Sequence, residues 1–340
     1  MRTALFGLLG LIVLLAGSAP SAAQSVEDFY NGRQINLIVG FNPGGGYDVY
    51  ARIMARHLPR FIPGRPTFIV KNMPGAASLI AANHIYNAAP KDGSELGMIA
   101  PSTAGEPIFG LQRAKFDGRK FSWIGSAYND LGACLAWHET PFQTVKDLFE
   151  KEMLVGASGS SNLHFPIAMN MVLGTKMKPV RGYKGSTGIL LALERGEVQG
   201  WCGPIYSVLA STRPDWINEK KVRILVNVAA SRPRTTDNIP FIMDYAKSEA
   251  DKQVLALVVG WNIVGRSVMG PPGVPEDRKA ALRTAFDAAM KDPAFLAEAK
   301  QQRIDINPAT AVEIDEFMEG VYGTPKEVVE RATQIMDAAR

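Results

Sequence analysis

The chain has 340 residues, 46% of them hydrophobic and 21% charged, with a formal net charge of +4. This is globular composition, long enough for two domains with cores of their own. The small charge and the lack of any basic run speak against nucleic acid and weakly favour a small anionic ligand.

Residues 1–23 read as a secretory signal. Arg2 supplies the positive start, Ala4 to Ala16 form an apolar core too short to span a bilayer, and Ser21-Ala22-Ala23 gives the small-x-small cleavage pattern. A mature chain starting near Gln24 is expected, exported to the periplasm and soluble, with Ser18 standing where a lipoprotein would carry its cysteine. Both cysteines, Cys134 and Cys202, fall in the mature part. An even count in an oxidising compartment points to a disulfide, with two separate buried thiols as the alternative.

The apolar run Ile35, Leu37, Ile38, Val39 reads as a buried strand, stopped by Pro43 and Gly44-Gly45-Gly46. Asp48 suits a helix N-cap, with Val49, Ile53, Met54 and Leu58 on one face behind it. Backbone N–H groups at such a turn form an anion site together with the helix dipole. A second unit of the same kind follows. Phe68-Ile69-Val70 is its strand, Asn72-Met73-Pro74-Gly75 its turn, and Ala76-Ala77-Ser78 the expected opening of its helix. After the turn Pro90-Lys91-Asp92-Gly93, Leu96 to Ala100 reads as a third strand.

Phe121 to Tyr128 and Cys134 to Trp137 are expected strands leading out of the first half. Met153-Leu154-Val155 and the glycine- and serine-rich turn Gly156 to Asn162 then feed a helix closed by Gly174, in which Pro166 fits only within the first turn. A strand near Lys178 to Val180 reaches Tyr183-Lys184-Gly185, and Ser186 is placed as the cap of a helix Thr187 to Arg195. Strand–helix alternation of this sort predicts parallel strands with right-handed crossovers and ligands beyond the strands' carboxyl ends. Val222 to Val228 is a further strand, Val254 to Val264 is expected to cross back, and the chain from Pro275 onward reads as helical.

These motifs together resemble the substrate-binding proteins of tripartite tricarboxylate transporters, the Bug family. Pro43-Gly44-Gly45-Gly46-Tyr47-Asp48 with Ala51-Arg52 is similar to that family's P-G-G-x-x-D-x-x-A-R signature. Asn72 to Ala76 matches its N-x-P-G-A loop, Pro90 to Gly93 its P-x-D-G turn, Tyr183 to Gly185 its Y-K-G, and Pro271 to Pro275 its late P-x-G-x-P. Gly156 to His164 looks like its loop ending in histidine. The resemblance implies a periplasmic-binding-protein-like α/β fold of two domains joined by crossover strands, closing on a carboxylate. The domains are expected at 24–130, completed by 260–340, and at 131–259. It implies ligand contacts at Asn42, Gly45, Gly46, Tyr47 and Asp48 in the first loop and Ala76, Ala77 and Ser78 in the second. The other domain would add Ser158, Ser160, Ser161 and Tyr183. It further implies a monomer that hands its ligand to a pair of membrane subunits, without cofactor or chemistry of its own.

Three positions depart from the family pattern. Tyr47 stands where a small hydroxyl residue is common, Ala77 where glycine often follows G-A, and Gln199 where many relatives carry aspartate. The rival reading is a secreted esterase using Ser158, because Gly156-Ala157-Ser158-Gly159-Ser160 nearly makes G-x-S-x-G; Ser160 replaces the last glycine. His57, His84, His138 and His164 show no metal-ligand spacing and read as surface or cap residues. Tyr47, Tyr128, Tyr183, Trp201 and Trp261 read either as pocket lining or as core.

Overall fold

The computed structural model describes residues 24–338 except 130, 158, 159, 184, 204, 231, 233–237 and 303. The expected signal segment and Ser158 lie outside the described residues. No helix among the described residues is long and apolar enough to cross a membrane.

Helix α1 (Val26–Tyr30) leads into strand β1 (Gln34–Val39). Ile35, Leu37 and Val39 share a core with helix α2 (Gly46–His57), while Ile38 joins the core on the other face with helix α3 (Leu79–Asn87). That split is the two-residue side-chain alternation of a strand covered on both sides. Between the two helices runs β2 (Thr67–Asn72), and β3 (Glu95–Met98) and β4 (Ser122–Ser126) follow. β1 pairs in parallel with both β2 and β3, so the loops after β1 and β2 emerge at one edge of the sheet.

The chain then builds a second sheet. Strand β5 (Gly132–Trp137) and helix α4 (Asp147–Glu150) precede β6 (Met153–Gly156), α5 (Ser160–Leu173), β7 (Met177–Val180) and α6 (Gly185–Glu194). After them come β8 (Gly200–Gly203), α7 (Ile205–Thr212), α8 (Pro214–Asn218) and β9 (Val222–Val228). The strand order is β7-β6-β8-β5-β9, with β6 parallel to β7 and β8 and β5 antiparallel to its neighbours. Cys134 of β5 lies in register opposite Cys202 of β8, and the two form a disulfide in the core.

The return runs through helix α9 (Glu249–Val259) and a 3-10 turn, Gly260–Val264, so the expected crossing at Val254 to Val264 is helical. It delivers β10 (Ser267–Gly270) into the first sheet, antiparallel to β3 and β4. Helices α10 (Glu276–Ala289) and α11 (Pro293–Gln301), strand β11 (Ala309–Thr310), and helices α12 (Ala311–Tyr322) and α13 (Lys326–Ala338) complete the chain. The first sheet thus reads β11-β4-β10-β3-β1-β2, and the molecule consists of two α/β domains. Helix α13 packs on α9 and α5, where Arg331 donates to Asp251 at 2.8 Å.

Five local expectations are corrected. The N-cap of α2 is Gly45, and Asp48 sits three residues into the helix, because its carboxylate is drawn into a buried network. Ala76-Ala77-Ser78 do not open α3, which starts at Leu79; they form a left-handed turn before it. Pro166 lies in the interior of α5, since that helix already begins at Ser160, and Ser186 lies inside α6 rather than capping it. His57 is buried, with Glu298 Oε2 2.6 Å from its Nε2 and Arg60 Nη2 2.7 Å from its Nδ1, so it is not a surface residue; it stands at the N-cap of the 3-10 turn Leu58–Phe61 without a side-chain capping bond.

Candidate functional site

The first loop, residues 40–46, carries the chain from the carboxyl end of β1 to the start of α2. Gly44 takes φ +82°, a backbone that favours glycine. Gly45 and Gly46 differ. Gly45 has φ −81°, and a Cβ there would meet only Asn42 O at 3.6 Å; one at Gly46 would meet only Arg266 Nη2 at 3.9 Å. Neither the backbone nor packing among the described residues requires glycine at these two positions. Two bare backbone units thus begin a 12-residue helix whose cap uses no side chain. Their N–H groups belong to the first turn, where the helix dipole favours a negative charge.

Asp48 holds this loop in shape. Its Oδ2 accepts from the Gly44 N–H at 2.9 Å and from Arg52 Nε at 2.8 Å. Its Oδ1 accepts from Arg52 Nη2 and Asn72 Nδ2, both at 3.0 Å. These bonds, the one from Arg52 foremost, lower the carboxyl pKa from the ordinary aspartate value to about 2. Asn72 also donates to the Phe41 carbonyl at 2.9 Å, and the Met73 N–H to Val39 at 2.7 Å, so one polar network locks the first and second loops together. The Asp48 charge is thereby neutralised inside the protein. Its part here is to shape the loop.

The second loop is held by an unusual backbone. Ala76, Ala77 and Ser78 have φ of 45°, 52° and 71°, three consecutive residues with side chains in the left-handed region. Each such residue costs on the order of 1 kcal/mol. Compensation comes from Ser78, whose buried Oγ accepts from the Ala100 N–H at 2.7 Å and lies 3.2 Å from Thr103 Oγ1. Thr103 in turn donates to the Ala77 carbonyl at 2.8 Å. Ser78 also sits against Gly40, where a Cβ would collide with it.

The structure therefore brings Asn42, Gly45, Gly46, Tyr47, Asp48, Ala76, Ala77 and Ser78 together at one edge of the first sheet. Ser160 and Ser161 open α5 in the second domain. Tyr183 follows β7; its hydroxyl reaches Glu197 Oε2 at 3.5 Å, and burial, helped by that carboxylate, raises its pKa. Gln199 pairs with the backbone of β6, its Oε1 accepting from the Leu154 N–H at 3.0 Å. Trp201 and Trp261 are core residues, the latter filling the space beside Gly105. Tyr128 is buried in the first domain's core.

One neighbour of the first loop escaped the sequence reading. Arg266 precedes β10, whose antiparallel course starts it at the edge where β1 and β3 end. Its guanidinium carbon lies 4.1 Å from the centroid of Tyr47 and 5.3 Å from that of Tyr50. Tyr47 is itself stacked on Phe41, with centroids 4.0 Å apart and rings 16° from parallel. The only sequence sign was a lone arginine between two apolar segments.

Residues 51–333 match the family described as the tripartite tricarboxylate transporter family receptor. A TctC solute-binding protein from Polaromonas superposes with a TM-score of 0.69 at 19% identity, covering 91% of this chain and 99% of that one. MatC from Rhodopseudomonas palustris with bound malate gives a TM-score of 0.52 at 19% identity over 89% of this chain and 99% of that one. A second R. palustris protein, with adipate, gives 0.54 at 19% identity, covering 88% of this chain and 97% of the other. At these identities the likeness establishes the fold.

Proposed function

Because this chain belongs to the tripartite tricarboxylate transporter receptor family, whose members are solute-binding receptors rather than enzymes, we propose that it captures an organic anion, a carboxylate, in the periplasm. It would act as a monomer and hand the ligand to the membrane subunits of a tripartite tricarboxylate transporter. The observation that carries the ligand site is the pair Gly45 and Gly46: glycines that no backbone angle or packing among the described residues requires, at the start of a long helix. The malate and adipate held by structural neighbours support a carboxylate.

In this reading the anion sits on the backbone of residues 45–47 and 76–78. The α5 N-terminus, which Ser160 and Ser161 open, and Tyr183 close over it from the second domain; Ser158, outside the described residues, stays a candidate from the sequence alone. The lobes are residues 24–130 completed from 260 onward, with α13 reaching across to pack on α5 and α9, and 131–259; the chain passes between them near 127–129 and 260–266. A ligand touching both lobes favours the closed form by its differential affinity.

A thermal-shift screen of residues 24–340 against mono-, di- and tricarboxylates tests the proposal. A ligand at a hundred times its dissociation constant should add about 2.7 kcal/mol. Gly46→Trp should abolish that gain; among the described residues a Cβ there meets only the end of the Arg266 side chain, at 3.9 Å, and the unliganded melting temperature checks that the variant still folds. A Gly46→Trp protein that still responds to the same acid would remove the ligand from this loop.

A further inference from the structure

We propose that Arg266 is a ligand-binding residue of this receptor, the cation that pairs with one carboxylate of the bound acid beside Gly46. The inference rests on the anion site proposed above and adds to it a side chain that no sequence motif of that site contains.

The charge accounting points to Arg266. Asp48, the buried acid of the loop, is already neutralised by Arg52. Of the arginines around three other concavities, all but the solvent-exposed Arg65 carry counter-ions of their own, Arg119 with Asp117 among them. Arg232 is held bidentately by Asp244 at 2.6 and 2.7 Å, Arg283 pairs with Asp315 at 2.7 Å, and Arg60 pairs with Asp292. Arg266 is partly buried and makes no ion pair among the described residues. Among the described residues its Nη1 donates only to the carbonyl of its neighbour Gly265, at 2.8 Å, and its buried Nε finds no acceptor. A partly desolvated guanidinium with an unmet donor is costly unless an anion joins it.

The geometry says where that anion would lie. The Phe41–Tyr47 stack forms a flat platform under the guanidinium. Stacking fixes the plane of the cation and leaves its edge for hydrogen bonds, the arrangement in which arginine grips carboxylates. Its Nη2 lies 3.9 Å from the point where a Gly46 Cβ would stand. One carboxylate lying between that point and the guanidinium, clear of the Gly46 backbone, would meet the guanidinium edge and the first N–H groups of α2 together. The tyrosine that departs from the family pattern thus acquires a purpose, as the surface on which Arg266 rests. Since Arg266 lies between the two lobes in sequence, at the return into the first sheet, ligand binding would also tie the loop to the crossover.

The test is isothermal titration of the mature protein with malate, adipate and the best acid from the screen, using wild type, Arg266→Gln and Arg266→Lys. Arg266→Gln should weaken the acid that binds wild type by at least about tenfold. It should also flatten the salt dependence of the dissociation constant, because one charge pair is lost. A merely structural role would not flatten that dependence. Arg266→Lys keeps the charge without the planar fork and should fall between the two; it decides the matter should the glutamine variant not fold. Unchanged affinity and salt dependence in a folded variant overturn the role of Arg266 and leave the receptor reading standing. A wild type that binds none of the acids overturns the receptor reading, and this inference with it.

Discussion

The first domain fixes its ligand loops through hydrogen bonds to one buried carboxylate, whereas the second closes its sheet with a covalent bridge between neighbouring strands. Asp48 gathers the Gly44 N–H, Arg52 and Asn72 within about one helical turn of the proposed anion. Cys134 and Cys202 join β5 to β8 across 68 residues of chain. A carboxylate network holds the native loop in a particular shape and yields when the acid is protonated. A disulfide acts mainly by restricting the unfolded chain. The difference teaches that site geometry and overall stability are maintained in separate places, and each can be perturbed without the other.

The largest effect should come from the bridge. Closing a loop of 68 residues is worth about 4 kcal/mol in the chain-entropy model. Cys134→Ala with Cys202→Ala should therefore move the urea midpoint down strongly while leaving affinity for the acid ligand within about twofold. Comparable losses of stability and affinity would show that the second sheet sets the site's shape after all, and the separation would fail.

Asp48→Ala reverses the pattern. It strands the Gly44 N–H, Asn72 and a half-exposed Arg52, for an expected loss of about 2 kcal/mol after allowing for solvent around that arginine. It should also cost ligand affinity, because the loop carrying Gly45 and Gly46 is no longer pinned. The same network predicts a pH dependence. The folded pKa of Asp48 is depressed to about 2, so its contribution is complete above the unfolded value near about pH 4. That contribution is lost as pH falls through about 2. Asp48→Asn should therefore be less sensitive than wild type over that acid interval, as read by circular dichroism; identical acid midpoints would argue against a neutralised, buried carboxylate.

Some of this was legible in the amino-acid sequence and some was not, for physical reasons. The apolar run Ile35 to Val39 and the glycines after it announce a strand and a turn, because burial and backbone freedom leave marks in residue type. Alternation of such units announces two α/β layers. The N-cap slipped by three residues because glycine and aspartate both suit that position, and the choice is made by where Arg52 and Asn72 lie. Arg266 left no more than a lone arginine between two apolar segments. Its place beside Gly46, 220 positions away in the chain, follows from the antiparallel return of β10, which no local pattern encodes. The depth of His57 was hidden likewise, since its partners Glu298 and Asp292 arrive on a distant helix and its cap.

The smallest effect tests whether the two loops of the first domain are alike. The first obtains its one left-handed residue from Gly44; the second places Ala76, Ala77 and Ser78 there, in a run where alanine gives no warning of strain. Ala77→Gly relieves an unfavourable backbone, but glycine also gains freedom in the unfolded chain, so the net stabilisation should be only about 0.5 kcal/mol. The sign of its effect on binding is the informative part. If Ser78 and Thr103 alone hold the turn, glycine leaves affinity unchanged, because those bonds survive the substitution. If the stiffness of the alanine turn presents backbone groups to the anion, affinity falls while stability rises. The second outcome is expected, since a run this costly persists only where its surroundings over-determine it. A variant at once more stable and tighter in binding would make the strain an accident of sequence rather than part of the site.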